Sequence, residues 1–479
     1  MTKFITAILI LLVSFTSCAQ VAFTEQNVAI DDSLNIAVIH IPKDASLSKT
    51  TAIPLENENY TLTLSKTKNL TTIAHKLKSA SGKKYIAYLT TFPLFQIDAP
   101  NGIVNEPKRM STIHYAEKDT TFTAYAGIEL RGSSSIVFAK KTYDLNFYTD
   151  STGTENLDVK LAGMRKDDDW ILDGLYNEPL RMRSYISLNL WNDIYEPYYL
   201  DREPKAKAGA TAKYAEVFVN GRYKGVFLLS EQVDRKLTKI KKMDEGDIIR
   251  GELFQGARYL GASSFDSVPK KKNFLASWGG YDIKYPVPTN QFWDNVHPFT
   301  DFVVNSDDDA FAKAISQKFY LPNAMDYFLY INAVRAPDNL GKNLYLIRYD
   351  DGEPYFYAPW DLDGSLGTIF SGKRIATTDD WLDNGLLRRL LATDAEGFVT
   401  KFKSRWIALR ADQLSTERLL EKQAKTYRKL KDNLIFEREA KAWDNFKYDE
   451  EGLEYMQEWT TKRLEFLDGY IEKLNPKTD

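Results

Sequence analysis

Cysteine, histidine and excess charge are all scarce in this sequence. Its 479 residues include one cysteine and four histidines, and the histidines stand singly rather than at the spacing of zinc ligands. The charges nearly balance, with 63 lysines and arginines against 66 aspartates and glutamates, which gives a net charge of −3. Nucleic acid is therefore not expected as a partner, because binding to phosphate backbones requires a marked basic excess.

An apolar run at the start of the chain, residues 4–15, follows Lys3. It is too short to span a membrane and is typical of a secretory signal. Cys18, the single cysteine, follows the small residues Thr16 and Ser17, a pattern that resembles a bacterial lipobox, in which the thiol is acylated. We predict a lipoprotein signal peptide over residues 1–18 and an exported protein, lipid-anchored in the bacterial cell envelope on the periplasmic face or the cell surface. The alternative is an ordinary cleavage site with a chance cysteine.

Hydrophobic residues make up 43% of the chain and aromatic residues 13%, enough for large cores in two or three folding units. Residues 19–95 contain short β-type runs between polar links and predict a small β-rich domain or stalk. Farther on, strand and helix signals mix, with a hairpin at Asn220-Gly221 and helices over residues 178–191 and 322–334. The chain turns helical after Asp379, and these Lys/Glu-rich helices are expected to present a solvated face. The fold class is α+β.

The stretch from Ala336 to Ser365 predicts a β-hairpin with polar groups at both ends. Asp338 and Asn343 precede its first strand, and Asp361 and Asp363 follow its second. A hairpin returns to its starting point, so these side chains should converge, and their hard oxygens suit Mg²⁺. Protein kinases use the same order, in which an Asp orients the attacking hydroxyl and a later Asn and Asp bind metal. The alternative is that these residues only make turns.

Four stretches carry a family resemblance: RGSSS with KKTYDLNFY, EVFVNGRYKGVFLLSEQVDRK, DNLGKNLYLIR, and PWDLDGSLG. Together they resemble the CotH kinase family, atypical secreted protein kinases named for spore coat protein H. The resemblance covers roughly residues 93–474. It implies a bilobal, atypical protein-kinase-like fold over residues 96–475, with a small lobe to about residue 235, a large lobe after it and a helical C-terminal region. Residues 19–95 form the β-rich N-terminal domain.

The resemblance also implies roles for the polar groups of the hairpin. Asp338 matches the catalytic Asp that aligns the acceptor hydroxyl. Asp361 matches the metal-binding Asp, with Asn343 as a second ligand. Asp363 is either an auxiliary ligand or a helix N-cap, and the cap is slightly favoured.

The phosphates of the nucleotide are expected on a small-residue loop, where backbone N–H groups can approach an anion: Arg131, Gly132, Ser133 and Ser134. The alternative is a Ser-rich turn. A phosphate-binding lysine should follow, and Lys140 and Lys141 point to opposite faces of a strand. Lys141 shares the face of Tyr143 and is predicted to act in catalysis, with Lys140 as the alternative. Glu178 is a candidate acid partner for the lysine, and Glu231 is predicted near adenine.

The resulting expectation is transfer of the γ-phosphoryl of ATP to a hydroxyl, with Mg²⁺, or Mn²⁺ in its place. The acceptor would be a Ser or Thr of a secreted or envelope protein that the sequence does not identify. An alternative from another class is an inactive kinase-like envelope lipoprotein that binds a protein or a polysaccharide. A third is phosphorylation of a sugar or a cell-wall component.

Overall fold

The computed structural model of the protein describes residues 23–42, 46–118, 120–132, 135–287 and 292–476. The predictions for Cys18, Ser133 and Ser134 lie outside these residues. Within them, no helix has both the length and the apolar character needed to cross a membrane.

The first part of the chain forms a six-stranded N-terminal sheet in the order β1-β2-β6-β5-β4-β3. Its strands are β1 (Val28–Asp31), β2 (Ile36–His40), β3 (Thr50–Pro54), β4 (Asn59–Thr63), β5 (His75–Ser79) and β6 (Lys84–Thr90). One face packs on its own core, which includes Ile39, Leu62 and Leu77. On the other face Val38 and Tyr88 join a second cluster with residues of the next sheet. The sheet therefore packs directly against the rest of the protein.

The next sheet closes into a seven-stranded barrel in the order β10-β13-β15-β14-β7-β8-β9. Its strands are β7 (Leu94–Asp98), β8 (Arg109–Glu117), β9 (Thr120–Arg131), β10 (Thr142–Tyr148), β13 (Asp169–Asp173), β14 (Ala212–Val219) and β15 (Arg222–Ser230), and β11 (Val159–Lys160) pairs with β12 (Lys166–Asp167) beside it. Asn220 and Gly221 take positive φ angles of 49° and 68° between β14 and β15, as the type I′ hairpin predicted there requires. Large apolar side chains such as Trp170 and Phe227 form the barrel core.

A five-stranded sheet and most of the helices form the second half of the chain. The sheet has the order β17-β18-β16-β19-β20, with strands β16 (Glu252–Gly256), β17 (Ser277–Trp278), β18 (Tyr281–Tyr285), β19 (Leu344–Arg348) and β20 (Tyr355–Pro359). The described helices are α1 (Arg183–Ile194), α2 (Arg235–Thr238), α3 (Val296–Asn305), α4 (Asp308–Lys318), α5 (Leu321–Val334), α6 (Gly385–Thr393), α7 (Phe398–Ala411), α8 (Thr416–Asp432), α9 (Ile435–Ala442) and α10 (Gly452–Glu472). The mixture of sheets and helices confirms the α+β class.

Of two helices predicted from the sequence, one begins close to the predicted residue and the other begins later. The helix predicted over residues 322–334 is α5, with Pro322 in its first turn, where a missing N–H costs nothing. The helix predicted from residue 178 begins at Arg183 instead. The carboxylate of Glu178 accepts the backbone N–H groups of Leu180, at 3.0 Å, and of Arg183, at 3.2 Å, and so holds the preceding turns.

Candidate active site

A cavity of about 830 Å³ lies between one end of the barrel, helix α1 and the β19–β20 hairpin. This volume falls within the range of small-molecule sites, roughly 300–1,000 Å³. Barrel strands β10, β13 and β15 contribute Thr142, Ile171, Asp173, Leu228 and Ser230 to its wall. The hairpin and the residues around it contribute Asp338, Lys342, Asn343, Asp361 and Asp363. One cavity therefore collects groups that are distant in sequence.

The hairpin brings its two polar ends together, as the sequence predicts. The pairing of Leu344 with Pro359 continues outward, and the N–H of Trp360 donates to the carbonyl of Asn343 at 2.9 Å. The buried carboxamide of Asn339 donates to the carbonyls of both Asn343 and Trp360 and so ties the two strand ends together. Asn343 in turn donates to the backbone carbonyl of Asp361 at 3.3 Å.

Asp338 lies on a short 3₁₀ helix, Pro337–Leu340, just before the hairpin. Its side chain is 46% exposed and lies 3.5 Å from the ammonium of Lys342. Both side chains line the cavity with Asn343 and Asp361. Asp338 is thus accessible to a molecule that enters the cavity.

Asp361, Asp363 and Asp173 form a group of interacting acids in the cavity. Solvent in the cavity reaches the side chain of Asp361, although protein surrounds the cavity on most sides. The resulting loss of solvation, reinforced by the charge of Asp173, raises the pKa of Asp361 to about 6. Burial, with the charges of Asp361 and Asp173, also holds the pKa of Asp363 well above its usual value. Asp173 was missed by the sequence analysis, because an Asp at a strand end before a glycine is typical of an ordinary turn. A bound cation would relieve the repulsion among these carboxylates.

The donor set fits a magnesium ion that would take its remaining ligands from phosphates. Asn343 donates through its nitrogen, and its carboxamide oxygen accepts no hydrogen bond from the described residues. The acids of the hairpin are not close enough together to bind a metal ion by themselves. Among the described residues, the three acids whose ligand atoms all lie within 4.8 Å of one another are Asp158, Asp167 and Asp168. At that triad the ammonium of Lys236 already lies 2.6 Å from Asp167. Mg²⁺ commonly uses one or two carboxylates and completes its shell with water and substrate phosphates. The N-cap role that the sequence slightly favoured for Asp363 is wrong, since the next helix among the described residues, α6, begins only at Gly385.

The structure places Lys140 in the cavity, and the prediction of Lys141 is wrong in this respect. Strand β10 begins at Thr142, so the alternation that assigned Lys141 to the cavity side does not extend back to these lysines. The ammonium of Lys141 donates to the carbonyl of Ile136 at 2.5 Å. Lys140 has no exposed side-chain surface and donates to the carbonyl of Val226 and to Glu439, each at 2.6 Å. The alternative lysine is therefore the one that reaches the site.

Glu439 of helix α9 is the acid partner of Lys140, and Glu178 is not. The second carboxylate oxygen of Glu439 accepts a hydrogen bond from Arg181 at 2.9 Å, whereas Glu178 pairs with Arg183. Burial lowers the pKa of Lys140 to about 8. Burial alone would raise the pKa of Glu439, but the charges of Lys140 and Arg181 outweigh it and lower that pKa. The pair is thus a buried ion pair at neutral pH.

Strand β15 is shaped to receive this carboxylate. Its pairing with β14 shifts between Val217 and Phe218, which leaves a bulge at Lys224. The next residue, Gly225, has φ of 93°, and a Cβ there would collide with the carboxylate of Glu439. The N–H of Val226 donates to Glu439 at 2.8 Å. Glycine is required at 225 because both the backbone conformation and the space exclude a side chain.

Of the other residues predicted to contact the nucleotide, some line the cavity and one does not. Arg131 and Gly132 line the cavity, and the guanidinium of Arg131 lies 2.8 Å from Asp144 and 5.5 Å from the ring centre of Trp360. Glu231 is wrong as a nucleotide contact: its carboxylate accepts from Lys207, and its backbone N–H donates to Thr211 at 3.1 Å. The Ser and Leu side chains just before it, Ser230 and Leu228, reach the cavity instead.

Comparison with known proteins agrees with the predicted resemblance. The family model described as CotH kinase protein matches residues 128–467. The chain is also similar to the inner spore coat protein H of Bacillus subtilis (strain 168), with 24% identity over 252 residues. That alignment covers 52% of this chain and 61% of the relative, so the chain spans less than two thirds of the relative's length. Since the family match extends over well more than half of its residues, the chain belongs to the CotH kinase protein family.

Proposed function

We propose that the protein transfers the γ-phosphoryl group of ATP to a hydroxyl, that of a Ser or Thr in an exported or envelope protein. Membership of the CotH kinase protein family supports kinase-like chemistry. The observation that carries the proposal is the cavity itself, which is lined by Lys140, the partner of Glu439, and by the acids of the hairpin. A kinase-like arrangement follows, in which the barrel acts as the small lobe and the β16–β20 sheet with its helices acts as the large lobe.

In this proposal the phosphates of the nucleotide contact Arg131 and the backbone at Gly132, and the buried side chain of Lys140 becomes accessible to them when the nucleotide enters the cavity. Glu439 holds the ammonium of Lys140 in place and keeps it charged. Ile171, Leu188 and Leu228 offer an apolar wall to the nucleoside. These groups bind and orient the donor, and positioning supplies a large part of the rate enhancement in phosphoryl transfer.

Asp361 and Asn343 are the proposed metal ligands, supported by Asp363 and Asp173. Mg²⁺, or Mn²⁺, would supply positive charge that neutralises the phosphate oxygens and makes ADP a better leaving group. The carboxylates of the cavity would hold the cation, which would relieve their mutual repulsion. The donor chemistry of carboxylates and an amide oxygen agrees with this choice of ion.

Asp338 orients the acceptor hydroxyl toward the γ-phosphorus. The hydroxyl oxygen forms the new bond to phosphorus, the bond between this phosphorus and the β-phosphate oxygen breaks, and ADP leaves. Asp338 accepts the hydroxyl proton, and its exposure at the cavity allows that proton to pass to solvent. Lys342, 3.5 Å away, places a positive charge beside this carboxylate.

The predicted signal and the Cys18 lipobox place the reaction outside the cytoplasm in this proposal, on a lipid-anchored protein. ATP is scarce there, so the protein requires a supplied donor. The partners are ATP, the membrane through the lipid, and an exported protein acceptor.

A thermal-shift titration of the chain from Ala19 onward with ATP and Mg²⁺ or Mn²⁺ tests the function. Ligand bound only by the folded state stabilises it by about 2.7 kcal/mol at a hundredfold excess over Kd. We expect a metal-dependent rise in the melting temperature that Asp361→Ala abolishes. Asp351→Ala, at the turn end of the same hairpin, is the matched control and should retain the rise. No rise with any nucleotide and metal would contradict the proposal and favour the inactive binding protein.

A further inference from the structure

Helix α9 presents three consecutive charged side chains to three parts of the protein. Glu437 contacts the N-terminal sheet, Arg438 contacts the barrel, and Glu439 contacts Lys140, which lines the cavity. The helix is eight residues long, and these three residues lie near its middle. The position of α9 is therefore determined by contacts with three regions that are far apart in the sequence.

The contact with the N-terminal sheet is made by Tyr88 of strand β6. Tyr88 is fully buried, its hydroxyl donates to Glu437 at 2.6 Å, and its ring lies 5.1 Å from the guanidinium of Arg438. Around it, a hydrophobic cluster joins residues of the N-terminal sheet and the barrel, with the two ends of α9 at its edge: Ala29, Ile36, Val38, Leu94, Ala116, Phe218, Tyr223, Leu434 and Ala442. The sheet thus contacts the helix through both a hydrogen bond and apolar packing.

Arg438 leaves the helix little freedom to move. It is fully buried and pairs with Glu216, while its other nitrogens lie 3.3 Å from the hydroxyl of Tyr223 and 2.6 Å from the carbonyl of Asn433. A buried charge that loses its partner is strongly destabilising. A shift of α9 large enough to move Glu439 would therefore also disturb this network.

The same sheet has a second contact close to the β15 bulge. Asp31 of β1 accepts the backbone N–H of Tyr223 at 2.9 Å and lies 3.3 Å from the guanidinium of Arg222. Tyr223 directly precedes the bulge at Lys224 that admits the carboxylate of Glu439. The N-terminal sheet therefore contacts both the helix that carries Glu439 and the strand that receives it.

We infer that the N-terminal sheet is a positioning element of the nucleotide site, with Tyr88 as the positioning residue that acts through helix α9 on Glu439 and Lys140. This rests on the proposed function, since it assigns the sheet a role in presenting Lys140 to phosphate. The sheet, β1 to β6, lies outside residues 128–467, which the family model matches. Nucleotide affinity in this protein thus depends on a part of the chain that the family match does not include.

The test combines ATP binding with hydrogen exchange of the ligand-free full chain. The amide of Val226 donates to Glu439, so its exchange reports on whether that carboxylate is in place, with no nucleotide needed. Tyr88→Phe removes the hydroxyl and keeps the ring, and Glu437→Gln weakens the same hydrogen bond from the other side. Tyr85→Phe is the matched control, because Tyr85 lies on the same strand but donates to Asp32 on the opposite face.

We expect Tyr88→Phe and Glu437→Gln each to speed exchange in the β15 peptide that contains Val226. Each should also weaken binding of ATP with Mg²⁺ by about three- to tenfold, which lies within the range for coupling between sites of one molecule. The double variant should lose little more than the stronger single variant, because both act on one contact. Tyr85→Phe should change neither readout.

Unchanged exchange in Tyr88→Phe, or an equal change in Tyr85→Phe, would overturn the inference. Faster exchange with unaltered ATP affinity would also overturn it, because the sheet would then stabilise α9 without serving the site. If the wild-type protein binds no nucleotide, the proposed function fails. The exchange of Val226 then decides alone whether the sheet positions Glu439.

Discussion

At its hairpin end the cavity takes Asp338, Asn343 and Asp361 from one short stretch of chain, whereas at its Lys140 end the lysine pairs with Glu439, which comes from a helix near the end of the chain. The hairpin end places acids together, and the nearby Lys342 and Arg131 offset their repulsion only in part. The Lys140 end is fully paired and fully buried. The comparison teaches that charge is treated differently at each end: the protein neutralises its own charges at the proposed phosphate end, and it compensates the acids only in part at the proposed metal end.

Removing the acid at the paired end should have the largest effect. Glu439→Ala leaves the buried Lys140 and Arg181 without their common partner and should lower the free energy of unfolding by about 3–5 kcal/mol. Denaturant unfolding without ligand measures it. Asp338→Ala, which removes a half-exposed acid of the same cavity, should change stability by about 0.5 kcal/mol or less. Equal losses in the two variants would contradict the difference between the ends.

The close fit of Glu439 in the β15 bulge can be broken from the other side. Gly225→Ala adds a Cβ that collides with the carboxylate at a positive φ angle and should lower the free energy of unfolding by about 2–3 kcal/mol. Gly221→Ala is the control, since it has a similar backbone requirement in the same hairpin but no atom within 4 Å of its Cβ. Its cost should be about 1 kcal/mol, from backbone strain alone. If both variants unfold at the same denaturant concentration, the bulge does not depend on this contact.

Removing an acid at the hairpin end should raise the free energy of unfolding rather than lower it. The pKa of Asp361 is raised to about 6 in the folded protein, above its ordinary value of 3.8, so the folded state binds more protons between these pH values. The metal-free protein should therefore lose stability as pH rises from about 4 to 6 and carry the full penalty above that range. Asp361→Asn should stabilise it at pH 7 by about 1 kcal/mol, less than the shift alone implies because the side chain is open to solvent. Thermal melts across pH in EDTA measure this, and a destabilised variant would refute it.

The smallest effect is expected for the lysine that the structure excludes from the cavity. Lys141→Met should change stability by about 0.5 kcal/mol or less, since it removes one hydrogen bond to a carbonyl of a surface turn. ATP binding, followed by calorimetry, should be unchanged. Lys140→Met, the matched variant, should lose it, and a reversed order would restore Lys141 as the phosphate contact.

The sequence predicted the hairpin end because its information is local. Asn343 and Asp361 converge through a two-stranded hairpin, whose strands, turn and end residues are all visible in one stretch. The Lys140 end depends on contacts that no local pattern encodes. Glu439 lies in Lys/Glu-rich helices expected to be solvated, and the face of Lys140 depends on β10 starting at Thr142, two residues later. Asp173 was missed for the same reason, since only the closed barrel brings the end of β13 to the cavity.

The central claim is that both ends of the cavity bind one ligand, ATP with its metal ion. Isothermal titration calorimetry of ATP in Mg²⁺ tests it most directly on the wild-type protein, on Lys140→Met and on Asp361→Asn. The account predicts one site per chain, lost in EDTA, with affinity reduced by about tenfold or more in either variant, as for loss of a hydrogen bond or ligand contact to a charged group. Metal-independent binding of equal affinity in all three proteins, or no binding to the wild type, would contradict it.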